Sequence, residues 1–195
     1  MKQRKLLSLL IALAMTLAFL PAALAETEGV PGGATFVDGE QPLDQADNVA
    51  MVGEIGYTTL QAAIDAAIKA GGTQTVKLIA NVTESVVVSK VFSLKDNNSV
   101  EVILDLAGKT LTGNGGSVIT VRRYSSMNAT LTLTIEDSSE EKTGKVTGGN
   151  AEYGGAIQVD SSDYRIIVNI EGGTFTGNAA TYGGVVSAVK QSAPK

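Results

Sequence analysis

Two acids and a guanidinium crowd one short loop, DSSDYR, where Asp160, Asp163 and Arg165 flank Tyr164. Paired carboxylates projecting from one face are what glycoside hydrolysis requires. Acids gathered around calcium, with a Lys or Arg as base, are what elimination from an acidic polysaccharide requires. Tyr164 could stack on a sugar ring. Asp and Ser are also the ordinary residues of loops between strands, and Arg165 has acids in reach as structural partners. A second candidate is Asp105, in the run ILDLAG. Its counterparts in the repeat described below are Thr134 and Asn169, and such an Asp/Thr/Asn ladder reads as a solvated outer face. A third is Arg122-Arg123-Tyr124, which could hold an acidic sugar by bidentate hydrogen bonds or could be a charged loop. None of these makes a convincing catalytic cluster, so no catalytic residue is expected among them.

Composition narrows the chemistry further. The 195 residues contain no His, removing the commonest general base and zinc ligand, and no Cys, removing thiol nucleophiles and disulfides. No Gly-rich loop leads into Lys-Ser/Thr at the head of a helix, so no phosphate loop is present. The strict nonapeptide calcium repeat is missing as well. Calcium in a loop or in the acidic stretch below therefore has no motif behind it, and no cofactor is expected.

The elements that must position these residues begin after a leader. Lys2, Arg4 and Lys5 precede the apolar run Leu6–Leu20, Pro21 breaks it, and Ala23-Leu24-Ala25 supplies a small-x-small cleavage pattern. This is the layout of a secretory signal peptide, cleaved after Ala25, which places the chain outside the cell or on its surface. The run is short for a membrane span, and no other apolar run of spanning length follows. What remains has 12 basic and 20 acidic residues, a net charge of −8. That balance argues against nucleic acid as a partner.

Residues 26–53 hold six acids, no Lys or Arg, and several Gly and Pro, and read as an acidic flexible tether. Residues 54–72 hold one helix: Leu60, Ala63, Ile64, Ala67 and Ile68 recur at helical spacing, Thr58 or Thr59 can cap the start, and Gly71-Gly72 ends it. From Thr73 the pattern changes to short β-branched runs bounded by Gly and Asn, at 75–79, 85–89, 100–106, 117–121, 131–135, 156–159 and 166–170.

These runs repeat. LDLAGKTLTGNGGSVITV, LTIED with GKVTGGNAEYGGAIQV, and VNIEGGTFTGNAATYGGVVSA share an apolar strand, a Gly, and a strand residue at Leu111, Val146 or Phe175. An Asn follows at Asn114, Asn150 or Asn178, then a Gly pair that includes Gly154-Gly155 and Gly183-Gly184. Stacked coils explain this, since like positions pile up about 4.8 Å apart and build one core. Leu111, Val146 and Phe175 should point inward, one above another. The three Asn should form a ladder at the turn, where Asn and Gly tolerate positive φ. An antiparallel sandwich would not return the same residue types at the same place in each unit. The expected fold is all-β: a right-handed, single-stranded parallel β-helix over 73–188 with an N-terminal capping α-helix and a tail, 189–195.

GYTTLQAAIDAAIKAGGTQTVKLIANVT, Gly56–Thr83, resembles the capping helix and first coil of pectate-lyase-like β-helix proteins. GGAI (Gly154–Ile157), FTGN (Phe175–Asn178) and GGVV (Gly183–Val186) resemble the GGAI/FxxN repeats of polymorphic outer-membrane and adhesin-like bacterial surface proteins. The resemblance covers about 53–188 and is specific for architecture, not for activity. It implies a secreted or surface scaffold for adhesion or glycan binding, its partner a polysaccharide or a cell-surface glycoprotein. The chain is also expected to be the start of a longer protein. The alternative it implies is a polysaccharide lyase or glycoside hydrolase, or a fragment of one. The ligand-binding candidates are Arg122, Arg123, Tyr124 and Tyr164. The last coil carries no capping element, so self-association through it is expected.

Overall fold

A computed structural model describes residues 47–124, 128–161 and 165–190. The expected leader, most of the tether, Asp163, Tyr164 and the end of the tail lie outside the described residues. Sixteen strands and one helix follow in chain order. They are β1 Ala50–Val52, β2 Ile55–Tyr57, α1 Leu60–Ala70, β3 Gly72–Leu78, β4 Val82–Thr83, β5 Val86–Val91, β6 Val100–Asp105, β7 Thr110–Thr112 and β8 Ile119–Tyr124. Then come β9 Leu131–Glu136, β10 Lys145–Thr147, β11 Asn150–Tyr153, β12 Ile157–Ser161, β13 Ile166–Ile170, β14 Thr174–Phe175, β15 Ala179–Tyr182 and β16 Val186–Lys190.

The strands wind into a parallel β-solenoid of about four coils. One side is β3, β6, β9 and β13; a second is β4, β7, β10 and β14; a third is β5, β8, β12 and β16, all paired in parallel. Alternation along each strand sends every second side chain into the lumen. Val102, Leu104, Leu111, Ile119, Val121, Leu131, Leu133, Ile135, Val146 and Ile157 are fully buried there. The expected column is present: Val82 pairs Leu111, Leu111 pairs Val146, and Val146 pairs Phe175.

The helix closes the N-terminal end as its stripe requires. Leu60, Ala63, Ile64, Ala67 and Ile68 are buried, and Thr59 Oγ1 accepts from Ala62 N. The helix starts at Leu60, directly after the expected cap Thr59, and the earlier residues of the expected 54–72 segment form β2. A carboxylate from the first coil completes the cap: Glu84 accepts from Leu60 N at 2.9 Å and from Gln61 N at 3.1 Å. An anion there meets the positive end of the helix dipole. Glu84→Ala is therefore expected to lower stability by about 1 kcal/mol, read as a shift in a urea unfolding midpoint.

The expected tether ends earlier than residue 53. Ala50–Val52 is a strand that turns at Gly53, φ 59°, into β2 and pairs antiparallel with both β2 and β3. Ala50 is fully buried, so this segment is part of the core. The period-2 signal over three residues was too short to stand out from the Gly- and acid-rich sequence before it.

The Asn ladder needs correction. Leu111 and Val146 are 35 residues apart and Val146 and Phe175 are 29, whereas the three Asn are 36 and 28 apart. The residue at the Asn114 and Asn178 position in the third coil is thus Gly149, and Asn150 pairs with Ala179. Positive φ is not the reason for Asn either: among the described residues only Ala107 and Lys142 adopt it besides Gly. The Asn side chains reach across coils instead. Asn114 Oδ1 accepts from Ser85 N and Asn178 Oδ1 from Gly149 N, each at 3.0 Å. The left-handed column falls to Gly116, Gly154 and Gly183, φ 66°, 58° and 68°.

Candidate functional site

The three sequence candidates do not assemble into one reactive surface. Asp160 lies on β12 opposite Arg122 of β8 and Val189 of β16. It is only 7% exposed, and its Oδ2 stands 3.4 Å from Arg122 Nε. That geometry serves cross-strand charge pairing. Arg165 is exposed and its Nη1 donates to the Asn128 carbonyl at 3.2 Å. Asp163 and Tyr164 lie outside the described residues, so the loop cannot be assembled from them.

Arg122, Arg123 and Tyr124 are consecutive strand residues, not a loop, so alternation separates them. Ile119 and Val121 face the lumen, and Arg123 follows them inward to 1% exposure. There its Nε donates to the Ala129 carbonyl at 3.0 Å, and its guanidinium carbon sits 5.0 Å from the Phe92 ring centre. A buried guanidinium needs such partners to offset its desolvation. Arg122 and Tyr124 face outward. A single acidic sugar therefore cannot be gripped by all three.

Asp105 does not belong to a solvated ladder. Ile103 pairs Thr134, and Thr134 pairs Asn169, while Asp105 pairs Glu136 across β9 and Lys77 across β3. Asp105 is buried: Oδ1 accepts from Ala107 N and Ser138 N, both 2.9 Å, and Oδ2 from Ser138 Oγ at 2.6 Å. It fixes the corner where Ala107 holds φ 46°. Asp137, next door, is also buried and accepts from Gly108 N, Ser139 N, Ser139 Oγ and Gly144 N. Burial works to raise its pKa, but the Ser139 hydroxyl and the three amides outweigh this and hold the carboxyl below its ordinary 3.8. Both acids are spent on backbone amides, which makes them corner posts of the solenoid.

The outer surface carries a feature that lies outside all three sequence candidates. Tyr153 ends β11 and Tyr182 ends β15, and the parallel pairing of these strands puts one ring over the other. The ring centres are 5.0 Å apart with planes inclined by 18°. Tyr182 is 55% exposed, and neither ring belongs to the core. The negative charge of Glu152 raises the Tyr153 hydroxyl's pKa above its ordinary 10.0, with added contributions from burial, a hydrogen bond to Glu152, and Tyr182. The signal was in the repeat: AEYGG and ATYGG both set Tyr immediately before the Gly pair. The pair exists because three extra residues in each of these coils add a short fourth side, β11 over β15, between the second and third sides.

No set of three or more acids, His or Cys close enough to hold a metal ion occurs among the described residues. No described helix is long and apolar enough to cross a membrane. A depression lined by Asn48, Met51, Gly56 and Ile79 lies near the first hairpin and holds no titratable group. Comparison with family models, with curated proteins and with solved structures finds no match to this chain.

Proposed function

We propose that the chain is a secreted or cell-surface β-solenoid scaffold that binds glycan, with the Tyr153–Tyr182 stack as its contact. The observation that carries this reading is the pre-stacked pair of rings, exposed Tyr182 over half-buried Tyr153, on a short parallel sheet outside the core. Aromatic faces suit the apolar faces of sugar rings, and rings already held in place lose little entropy on binding. Glu152 beside Tyr153 adds an acceptor for sugar hydroxyls. The sequence layout of residues 1–25 supports export, and the GGAI and FTGN units support a surface setting by resemblance. The polar partners of Asp160, Arg165 and Asp105 give the lyase or hydrolase alternative no observation of its own.

Retention on immobilised polysaccharides, mucin and matrix glycoproteins tests this. Tyr153→Ala and Tyr182→Ala are expected to weaken binding to the retained glycan by about tenfold each, at unchanged circular dichroism. Absence of retention on every member of that panel sinks the reading. New reducing or unsaturated ends released from the same polysaccharides with calcium present would favour the enzyme instead.

A further inference from the structure

The tyrosine stack carries a charge of one sign only. Glu152 and Tyr153 are consecutive in β11, and Glu152 is exposed. The Tyr153 hydroxyl donates to the Glu152 carboxylate, which fixes that carboxylate at the hydroxyl end of the ring. One phenol uses only part of what a carboxylate can accept, so acceptor sites remain. The strand stacked on β11 adds no counter-charge, since β15 reads Ala-Ala-Thr-Tyr. No Lys or Arg lies between Lys145 and Arg165, or between Arg165 and Lys190. The chain as a whole carries −5, so the wider field has the same sign. The effect is already felt at Tyr153, where the charge of Glu152 is the largest cause holding the phenol above its ordinary 10.0.

We propose that the glycan held at this stack bears free amino groups, a glucosamine-type polysaccharide, with Glu152 as the residue that selects for them. The inference rests on the glycan-binding reading and deepens it. An aromatic face attracts a cation through its quadrupole, and a carboxylate beside the ring pairs with the same ammonium group. A sugar lying against Tyr153 with its amine toward Glu152 satisfies both at once. A uronic, sulfated or sialylated sugar would bring a second negative charge to a carboxylate that has no cation of its own strand or of β15 to offset it. The acidic sugar considered for Arg122 and Arg123 is therefore the class that this site rejects.

A matched pair of ligands tests the charge alone: glucosamine oligomers and the same oligomers N-acetylated. Titration calorimetry on the full chain is run at about pH 5.5, above the ordinary carboxylate range, with the sugar amines protonated. At about 50 mM salt the free amines are expected to bind about fivefold tighter than the acetylated oligomers, an advantage that shrinks toward unity at about 1 M. Glu152→Gln should bring the ratio to one, and circular dichroism checks that this exposed substitution keeps the strand content. Tyr153→Ala should weaken both ligands. Equal affinities for the pair, an advantage that survives Glu152→Gln, or tighter binding of polygalacturonate would overturn the proposal and leave glycan binding standing. Lysine oligomers bound as tightly as glucosamine oligomers would overturn it too, by making the site one for any polycation. Failure of both oligomers and of every other glycan would remove the glycan reading itself, and this inference with it.

Discussion

Gly149→Ala is expected to lower stability by about 4 kcal/mol, enough to unfold the third and fourth coils together. A Cβ built on Gly149 would overlap the Gly155 carbonyl oxygen and press on Val118. Gly155 cannot yield, since its own Cβ position is 2.5 Å from the Gly184 carbonyl and 2.7 Å from that of Ala179. The nearest obstacle is the Gly155 backbone, so moving the Val118 side chain does not relieve it. Gly53→Ala provides the contrast. Gly53 has φ 59° with open space around it, so only conformational strain of about 1–2 kcal/mol is added. Urea unfolding of both variants separates crowding from strain. Equal losses would mean that the tight corner yields more than its close backbone contacts imply.

Asp137→Ala should have the next largest effect, about 3 kcal/mol, because it leaves the buried amide of Gly144 and the half-buried amide of Gly108 without an acceptor. The loss depends on pH with a definite sign. The folded carboxyl titrates below the ordinary 3.8, so its contribution is complete above that value. It disappears as pH falls below 3.8 and through the folded pKa. The gap in unfolding midpoint between the native chain and Asp137→Ala should be constant near neutrality and close progressively under acid. A gap that widens on acidification would reverse the assignment.

The fold was legible in the sequence because its strongest signals are local and repeated. The Leu111/Val146/Phe175 column and the Leu60–Ile68 stripe needed only periodicity and spacing, and both stand in the structure. Register was harder. Asn150 drew the alignment off by one residue, since an Asn was expected where Gly149 actually stands. The same kind of slip, by two positions, put Asp105 beside Thr134 instead of Glu136. Side-chain direction at the candidate site was recoverable in part: counting inward from Ile119 by twos reaches Arg123. The burial of Asp105 and Asp137 was not recoverable, because it depends on a corner that forms only when the 138–145 insert folds back onto Gly108. The tyrosine stack is a consequence of coil geometry, and two Tyr in separate repeats become one surface only once the coils are wound.

The polar groups that reach between coils also shape how the chain would respond to a pull. Thr110 N is held by Asn81, Thr130 N by Ser99, Ser138 N by Asp105, Ser85 N by Asn114 and Gly149 N by Asn178, across 29 to 33 residues. Each bond joins neighbouring coils and none skips one. A load applied along the stack from the fourth coil therefore meets these fasteners in series, as a zip meets its teeth. Each coil that lets go would pay out on the order of 100 Å of slack, at about 3.3–3.6 Å per extended residue. The coils beneath would keep their ladders and their helical lid. A solenoid wound this way would give ground coil by coil under a pull, while the coils next to α1 stay folded.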